Sequence, residues 1–413
     1  MSYQKQVEHL FRHEYGKLVA LLVRRIGVQY LDSIEDAIQW AMAQALECWR
    51  KGETPSSPSA WLYQVAYRYL LSELKSTQRK SVLLAEHYST TGETLEHKDI
   101  PFASEMSDSM LRMLFVACND SVPVESQLVF ILKSLCGFSI REVALRLFIS
   151  EANAYKRLSR AKQHLKSQTL ELEMLSNNDI SARLPLVQSI LYLIFTEGYL
   201  SSHTETAIRR DLCEEAIRLT KLLVASQFGD VPDSYALLAL MYFHLARINS
   251  RQDNVGVLLL LEQQNRDQWN KEQISMAMAF LAQSANGNTI SRYHVEAGIA
   301  AEHCLSPSFE QTKWEKIIAA YELLHRISPS PIHLLNRAIA TAQWQSPQAG
   351  LVILESSDIP AWLDRCYYWY AVQADLLFRS GEVSRGQKHA ELAIAAAPTK
   401  SIKKLLFKRL LAK

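Results

Sequence analysis

The chain has 413 residues, of which 48% are hydrophobic and 21% charged, and a formal net charge of +2. That length and apolar content predict a soluble globular protein of two or three domains, and the near-neutral balance excludes any nucleic-acid argument built on overall charge. No apolar run reaches the roughly 18 residues a membrane span requires.

The N-terminal stretch "MSYQKQVEHLFRHEYGK" lacks the apolar core of a secretory signal, so a cytoplasmic address is expected. Cys48, Cys118, Cys136, Cys213, Cys304 and Cys366 are scattered, with no CxxC spacing, and read as buried free thiols. Neither a metal nor a cofactor is expected. Glycine and proline gather at breaks such as Pro55 and Pro58, Pro101, Pro123, Gly229 with Pro232, and Pro329 with Pro331. Between the breaks apolar residues recur at three and four, which predicts an all-α protein. Residues 81–107 are polar and poorly periodic, and read as a linker between small helical domains at 1–80 and 108–170.

The stretch "FSIREVALRLFISEANAYKRLSRAKQHL" carries two short amphipathic patterns back to back. Ser139 with Glu142 makes a capping box, and a first helix is expected to bury Ile140, Val143, Ala144 and Leu147. Ser150 caps a second helix whose core face is expected to hold Ala152, Tyr155, Leu158, Ala161 and Leu165. Between Ser139 and Ser167 stand seven Lys or Arg against two Glu, a concentration of positive charge in a nearly neutral protein. In a major groove such a helix would offer Asn153, Lys156 and Arg157 to base edges, with Arg160, Lys162 and Lys166 near phosphates.

From residue 178 to 413 the sequence shows a weak internal repeat. Tyr370, Ala374, Leu377, Gly381, Gly386, Ala390, Ala393 and Pro398 follow the spacing of a tetratricopeptide repeat of about 34 residues. Partial copies contain Tyr321, Leu324 and Pro329, and Tyr235, Ala239 and Tyr242. Stacked helical hairpins sharing one core are expected, ending in the basic amphipathic helix "TKSIKKLLFKRLLAK", read as a solubilising cap. His203, His244, His294, His303, His325 and His333 form no HExxH or other ligand pattern, and no phosphate loop or nucleophile signature occurs, so catalysis is not expected.

Three segments carry a family resemblance. The pattern Arg157, Leu158, Arg160, Ala161, Lys162 resembles the end of region 4 in a sigma-70-type transcription initiation factor of the extracytoplasmic-function class. The N-terminal 80 residues resemble sigma region 2, with an "ED-x-x-Q" helix at Glu35, Asp36 and Gln39, a helix ending at Trp49, then Pro55, Pro58 and "AWL". The C-terminal half resembles the subgroup with a tetratricopeptide-like extension that regulates the sigma activity in place of a separate anti-sigma factor.

The resemblance implies RNA polymerase core as partner, through its largest-subunit coiled coil and its flap region, and promoter DNA. Glu35, Asp36 and Gln39 would touch the core. Trp61, Tyr67, Arg68, Lys75 and Arg79 would hold the melted −10 element, because captured bases need aromatic faces beside cations. Asn153, Lys156, Arg157, Arg160, Lys162 and Lys166 would read the −35 element. The chain departs from the family's "ARN…D" pattern at Arg68 and Ser72, which weakens any transfer of −10 specificity. The implied arrangement leaves room for an intramolecular contact of the extension with the sigma domains, and no membrane. The competing expectation is a helical-repeat interaction protein, or a helix-turn-helix regulator without sigma activity.

Overall fold

The computed structural model describes residues 3–49, 55–84, 103–147, 149–167, 176–200, 208–253, 256, 258–356, 366–397 and 400–411. Eighteen α-helices and no strand occur among them, as the three- and four-residue spacing predicts. The chain divides into two compact units, Met1–Ile190 and Leu191–Lys413. The division falls inside one helix rather than at residue 178.

In the first unit, α1 (Tyr3–Ile26), α2 (Leu31–Trp49) and α3 (Pro58–Leu84) form one bundle. On α2, Ile34, Ala37, Ile38, Ala41 and Ala45 are fully buried at three- and four-residue steps, the stripe that lets a helix lie against two neighbours. The second group is α4 (Ala103–Ala117), α5 (Val124–Phe130), a wide π turn at Ile131–Leu135, α6 (Ile140–Leu147) and α7 (Glu151–Ser167). The segment 85–102, most of the expected linker, lies outside the described residues.

The two groups pack on one another, because α1 lies against both α4 and the π turn. Gly16 on α1 marks the closest approach: a Cβ there would stand 1.9 Å from the carbonyl oxygen of Leu135. Only glycine admits a backbone that near. Arg24 of α1 also donates to Asp108 and Ser109 of α4, both at 3.4 Å.

The second unit continues from α8 (Asn177–Tyr199) through α9 (Arg210–Val224), α10 (Pro232–Ala246), α11 (Lys271–Ser284), α12 (Arg292–Leu305), α13 (Trp314–Ile327), α14 (Pro331–Trp344), α15 (Pro347–Glu355), α16 (Tyr367–Arg379), α17 (Val383–Ala396) and α18 (Lys400–Leu410). Helix α10 is buried almost all round, as a helix must be that has neighbours on every side, here α9, α11 and α12. Ser–Pro pairs start α14 and α15: Ser330 accepts from the Ile332 amide and Ser346 from the Ala349 amide, and proline occupies the first helical position, where no amide is needed.

The repeat residues fall where a hairpin needs them. Ala374, Ala390 and Ala393 are buried between α16 and α17, Leu377 packs instead against α14 and α15, and Gly381 turns the chain at φ 84°. Pro398 lies outside the described residues. Helix α18 buries Ile402, Leu406 and Leu410 on this hairpin and leaves Lys403, Lys404 and Lys408 exposed. Arg409, expected on the basic outer face, instead turns inward to Asp375 and Glu262, because two carboxylates are within its reach. Four cysteines, Cys118, Cys136, Cys213 and Cys304, are buried free thiols, and Cys48 and Cys366 are half-buried.

Candidate nucleic-acid and polymerase interface

Helices α6 and α7 form as their caps dictate. The Ser139 amide donates to the Glu142 carboxylate at 2.8 Å while the Glu142 amide donates to Ser139 Oγ at 3.2 Å. Ser150 Oγ accepts from the Asn153 amide at 3.2 Å, opening α7. Ile140, Val143 and Ala144 are buried as expected and Leu147 half-buried.

The core face of α7 departs from expectation. It consists of Ala154, Leu158, Ala161 and Leu165, with Ala152 and Tyr155 outward, Tyr155 at 58% exposure. Placing Ala154 inward keeps strict three- and four-residue steps to Leu158, Ala161 and Leu165, and Tyr155 is one step of about 100° away from that line. Lys156 and Arg160 are exposed, Asn153 and Arg157 half-buried. None of Lys156, Arg157 and Arg160 has a carboxylate partner among the described residues.

Lys162 and Lys166 are placed differently. The Lys162 ammonium donates to Glu35 at 2.8 Å and to Asp32 at 2.7 Å, and Lys166 donates to Asp32 at 2.6 Å. Glu35 is 5% exposed and also accepts from the buried Ser134 hydroxyl at 2.7 Å. Next to it Lys133 lies 4.7 Å over the ring of Tyr15 and donates to its hydroxyl at 3.1 Å. Thus Lys162, expected near phosphates, meets Glu35, expected against polymerase, and Lys166 is held by Asp32 beside them. Of the remaining candidates for core contact, Asp36 and Gln39 are exposed on α2.

The electrostatics are those of a closed charge network. Burial penalises the Lys162 charge, yet Glu35 and Asp32 outweigh it and raise its pKa above the usual 10.5. Partial burial opposes ionisation of Asp32, but hydrogen bonds from Lys162 and Lys166 prevail and lower it below 3.8. Burial, then Glu35, push the Tyr15 phenol well above 10.0. Burial lowers Lys133, with Glu35 pulling the other way. The network rims a cleft of about 1120 Å³ lined by α2, the π turn and α7.

On α3, Trp61 is half-buried with its ring 5.6 Å from Trp49, and Tyr67 stacks 5.7 Å from Tyr63. Arg68 and Lys75 are exposed, and the side chain of Arg79 lies outside the described residues. A surface aromatic pair escaped the sequence reading: Trp40 of α2, 41% exposed, stacks 4.7 Å from Tyr69 of α3. Its signal was present in "EDAIQWAM", where Trp40 falls off the buried Ile34–Ala37–Ala41 line. Asp32, Lys133 and Ser134 were likewise missed, since charges paired across 100 residues leave no periodicity.

Among the described residues no cluster of His, Cys, Asp or Glu could hold a metal, and no helix is long and apolar enough to cross a membrane. His203 lies outside the described residues.

Comparison with known proteins follows this layout. Residues 10–80 match Sigma-70 region 2, residues 112–165 match Sigma-70 region 4, and residues 183–285 match a family of unknown function, DUF6596. The chain is 31% identical over 376 residues to "Uncharacterized protein R00370" of Rhizobium meliloti (strain 1021), covering 90% of this chain and 88% of that protein. No solved structure matches. With a relative aligned over nearly its whole length, the chain belongs to the family of that Rhizobium protein, and it carries Sigma-70 regions 2 and 4 with a DUF6596 segment behind them.

Proposed function

We propose that the chain is a cytoplasmic sigma factor of the extracytoplasmic-function class. It binds RNA polymerase core and gives it promoter specificity, with no catalysis of its own. The observation that carries this reading is the presence of both sigma-70 regions in one chain, each folded as its own helical group. Region 2 meets the largest-subunit coiled coil through α2, with Glu35, Asp36 and Gln39 as contacts, and region 4 meets the flap region. Trp61, Tyr67, Arg68, Lys75 and Arg79 hold the melted −10 strand. Helix α7 enters the major groove at −35 with Asn153, Lys156 and Arg157 toward base edges and Arg160, Lys162 and Lys166 toward phosphates. The second unit is a tetratricopeptide-like domain that modulates this activity, in keeping with its stacked hairpins.

The charge network adds a condition. Glu35 and Lys162 cannot serve polymerase and DNA while they satisfy each other, and Lys166 is engaged by Asp32, so regions 2 and 4 part when core polymerase binds.

The deciding experiment is in vitro transcription with purified chain and core polymerase on a genomic promoter library. Initiation at a defined −35/−10 pair is expected. Tight DNA binding without core, or no association with core, would overturn the reading. Arg157→Ala or Arg160→Ala should weaken promoter binding by roughly 1–3 kcal/mol if a bidentate base contact is lost. Unchanged output from both variants would remove α7 from the groove.

A further inference from the structure

A cavity of about 400 Å³ lies within the second unit, lined by α8, α10, α12, α13 and α14. Three histidines, His244, His303 and His333, converge there from α10, α12 and α14, although they are scattered in the sequence. The Nδ1 atom of each is buried with no hydrogen-bond partner. His333 is only 8% exposed.

Arg247, at the end of α10, is also 8% exposed. Its guanidinium stacks 5.2 Å over Trp269 and donates to the Gln264 side-chain oxygen at 3.2 and 3.4 Å. Among the described residues no carboxylate forms an ion pair with it, and its side-chain hydrogen bonds to Gln264 use Nε and Nη2. The other cation of the cavity, Arg292, is neutralised by Glu296 at 2.8 and 3.0 Å, and Glu296 is engaged further by the Tyr192 hydroxyl. Of the two cations that line the cavity, Arg247 is therefore the one without a carboxylate partner among the described residues. A buried, uncompensated cation is costly unless a counter-charge is supplied.

The histidines are suited to help such a counter-charge. Burial, then Arg247 and its neighbours, hold His244 and His303 down to about 3, so both are neutral imidazoles at physiological pH. Each neutral ring has one N–H donor and one acceptor to offer, and adds no further charge.

We propose that this cavity binds a small molecule bearing an oxyanionic group, a carboxylate or a phosphate, with the anion on Arg247 and the histidines as neutral partners. Oxyanions accept the forked donors of a guanidinium, and the volume lies within the usual range for small-molecule pockets. The proposal does not depend on the sigma assignment, because binding is read without polymerase.

The test uses the full chain, titrated with inorganic phosphate and, separately, with succinate, against sodium chloride at matched ionic strength. Calorimetry and the thermal midpoint are the readouts. Saturable binding of at least one of the two, in the millimolar range or tighter, is expected; phosphate alone would assign a phosphate-bearing ligand, succinate alone a carboxylate. Arg247→Met retains the apolar stem over Trp269 and should weaken binding at least roughly tenfold. His333→Gln gives an independent variant should Arg247→Met fail to fold, and should weaken binding severalfold. The exposed Arg385→Gln should leave it unchanged. No saturable binding of either anion beyond chloride, or binding that survives both cavity variants, would overturn the proposal.

Discussion

The interface between regions 2 and 4 and the hairpin of α16 and α17 are both helix-on-helix packing, yet they differ in what they bury. Between α16 and α17 lie Ala374, Ala390 and Ala393, all apolar. Between region 2 and region 4 the contact closes over Glu35, Ser134 and Lys162, with Tyr15 and Lys133 beside them. An apolar contact is favoured wherever water is the alternative. A buried ion pair barely gains over solvation and loses heavily when one partner goes. The first is built to stay shut, and the charges of the second can be exchanged for another set.

Four measurements sharpen or break this contrast. The largest effect should come from Leu377→Ala, which leaves a cavity in the apolar core where α16 packs on α14 and α15 and should cost about 3 kcal/mol in urea unfolding of the second unit. The charge network of the first unit should be untouched; a loss below about 1 kcal/mol would mean this core collapses around the gap. Next, Glu35→Ala leaves Lys162, whose side chain is 13% exposed, with the exposed Asp32 as its carboxylate partner, and takes from Ser134 the carboxylate it donates to. Separation of regions 2 and 4 should become easier by about 2 to 3 kcal/mol, seen as faster proteolysis between them and a longer distance between fluorophores on α2 and α7. If the distance stays fixed, the charge network is not what closes the interface.

Gly16→Ala should loosen the same interface by about 1 to 3 kcal/mol without touching a charge, because its methyl meets backbone rather than a flexible side chain. Equal protease resistance of variant and parent would show that α1 and the π turn slide past the clash. The smallest effect belongs to Lys166→Ala, since Lys166 and Asp32 side chains are 34% and 59% exposed and solvent screens them. Less than about 1 kcal/mol is expected.

The pH dependence follows the same network. Asp32, lowered, contributes stability that is present above its usual 3.8 and is lost as pH falls through the depressed value. Lys162, raised, contributes below its usual 10.5 and loses that contribution as pH rises through the elevated value. The fluorophore distance should therefore be flat between pH 5 and 9 and lengthen only in strong acid or strong base. Opening centred near neutrality would point to a group outside this network.

What the sequence made legible was local. The capping box at Ser139 and Glu142, the cap at Ser150 and the small-residue spacing from Ala374 to Ala393 each follow from contacts within one or two turns, and each is present. The inward face of α7 was misread by one residue, because Tyr155 is large and apolar enough to suggest burial while Ala154 carries little signal. The candidate contacts on α7 and α2 could be named, but not the pairing of Lys162 with Glu35 across 127 residues, which depends on how two groups of helices dock. The convergence of three histidines from separate helices was hidden for the same reason.

The wide turn at Ile131–Leu135 bears on how such an interface could arise. There the Cys136 amide reaches back to the Ile131 carbonyl at 3.0 Å, one residue further than an α-helix would take it. Removing a single residue from this turn would restore ordinary helical winding and swing everything behind it by about 100°. Lys133 and Ser134 would then leave Tyr15 and Glu35. A single-codon deletion at Ile131 or Leu132 would thus act as a toggle, abolishing the partnership between the two sigma-70 regions while leaving every side chain of the network encoded in the gene.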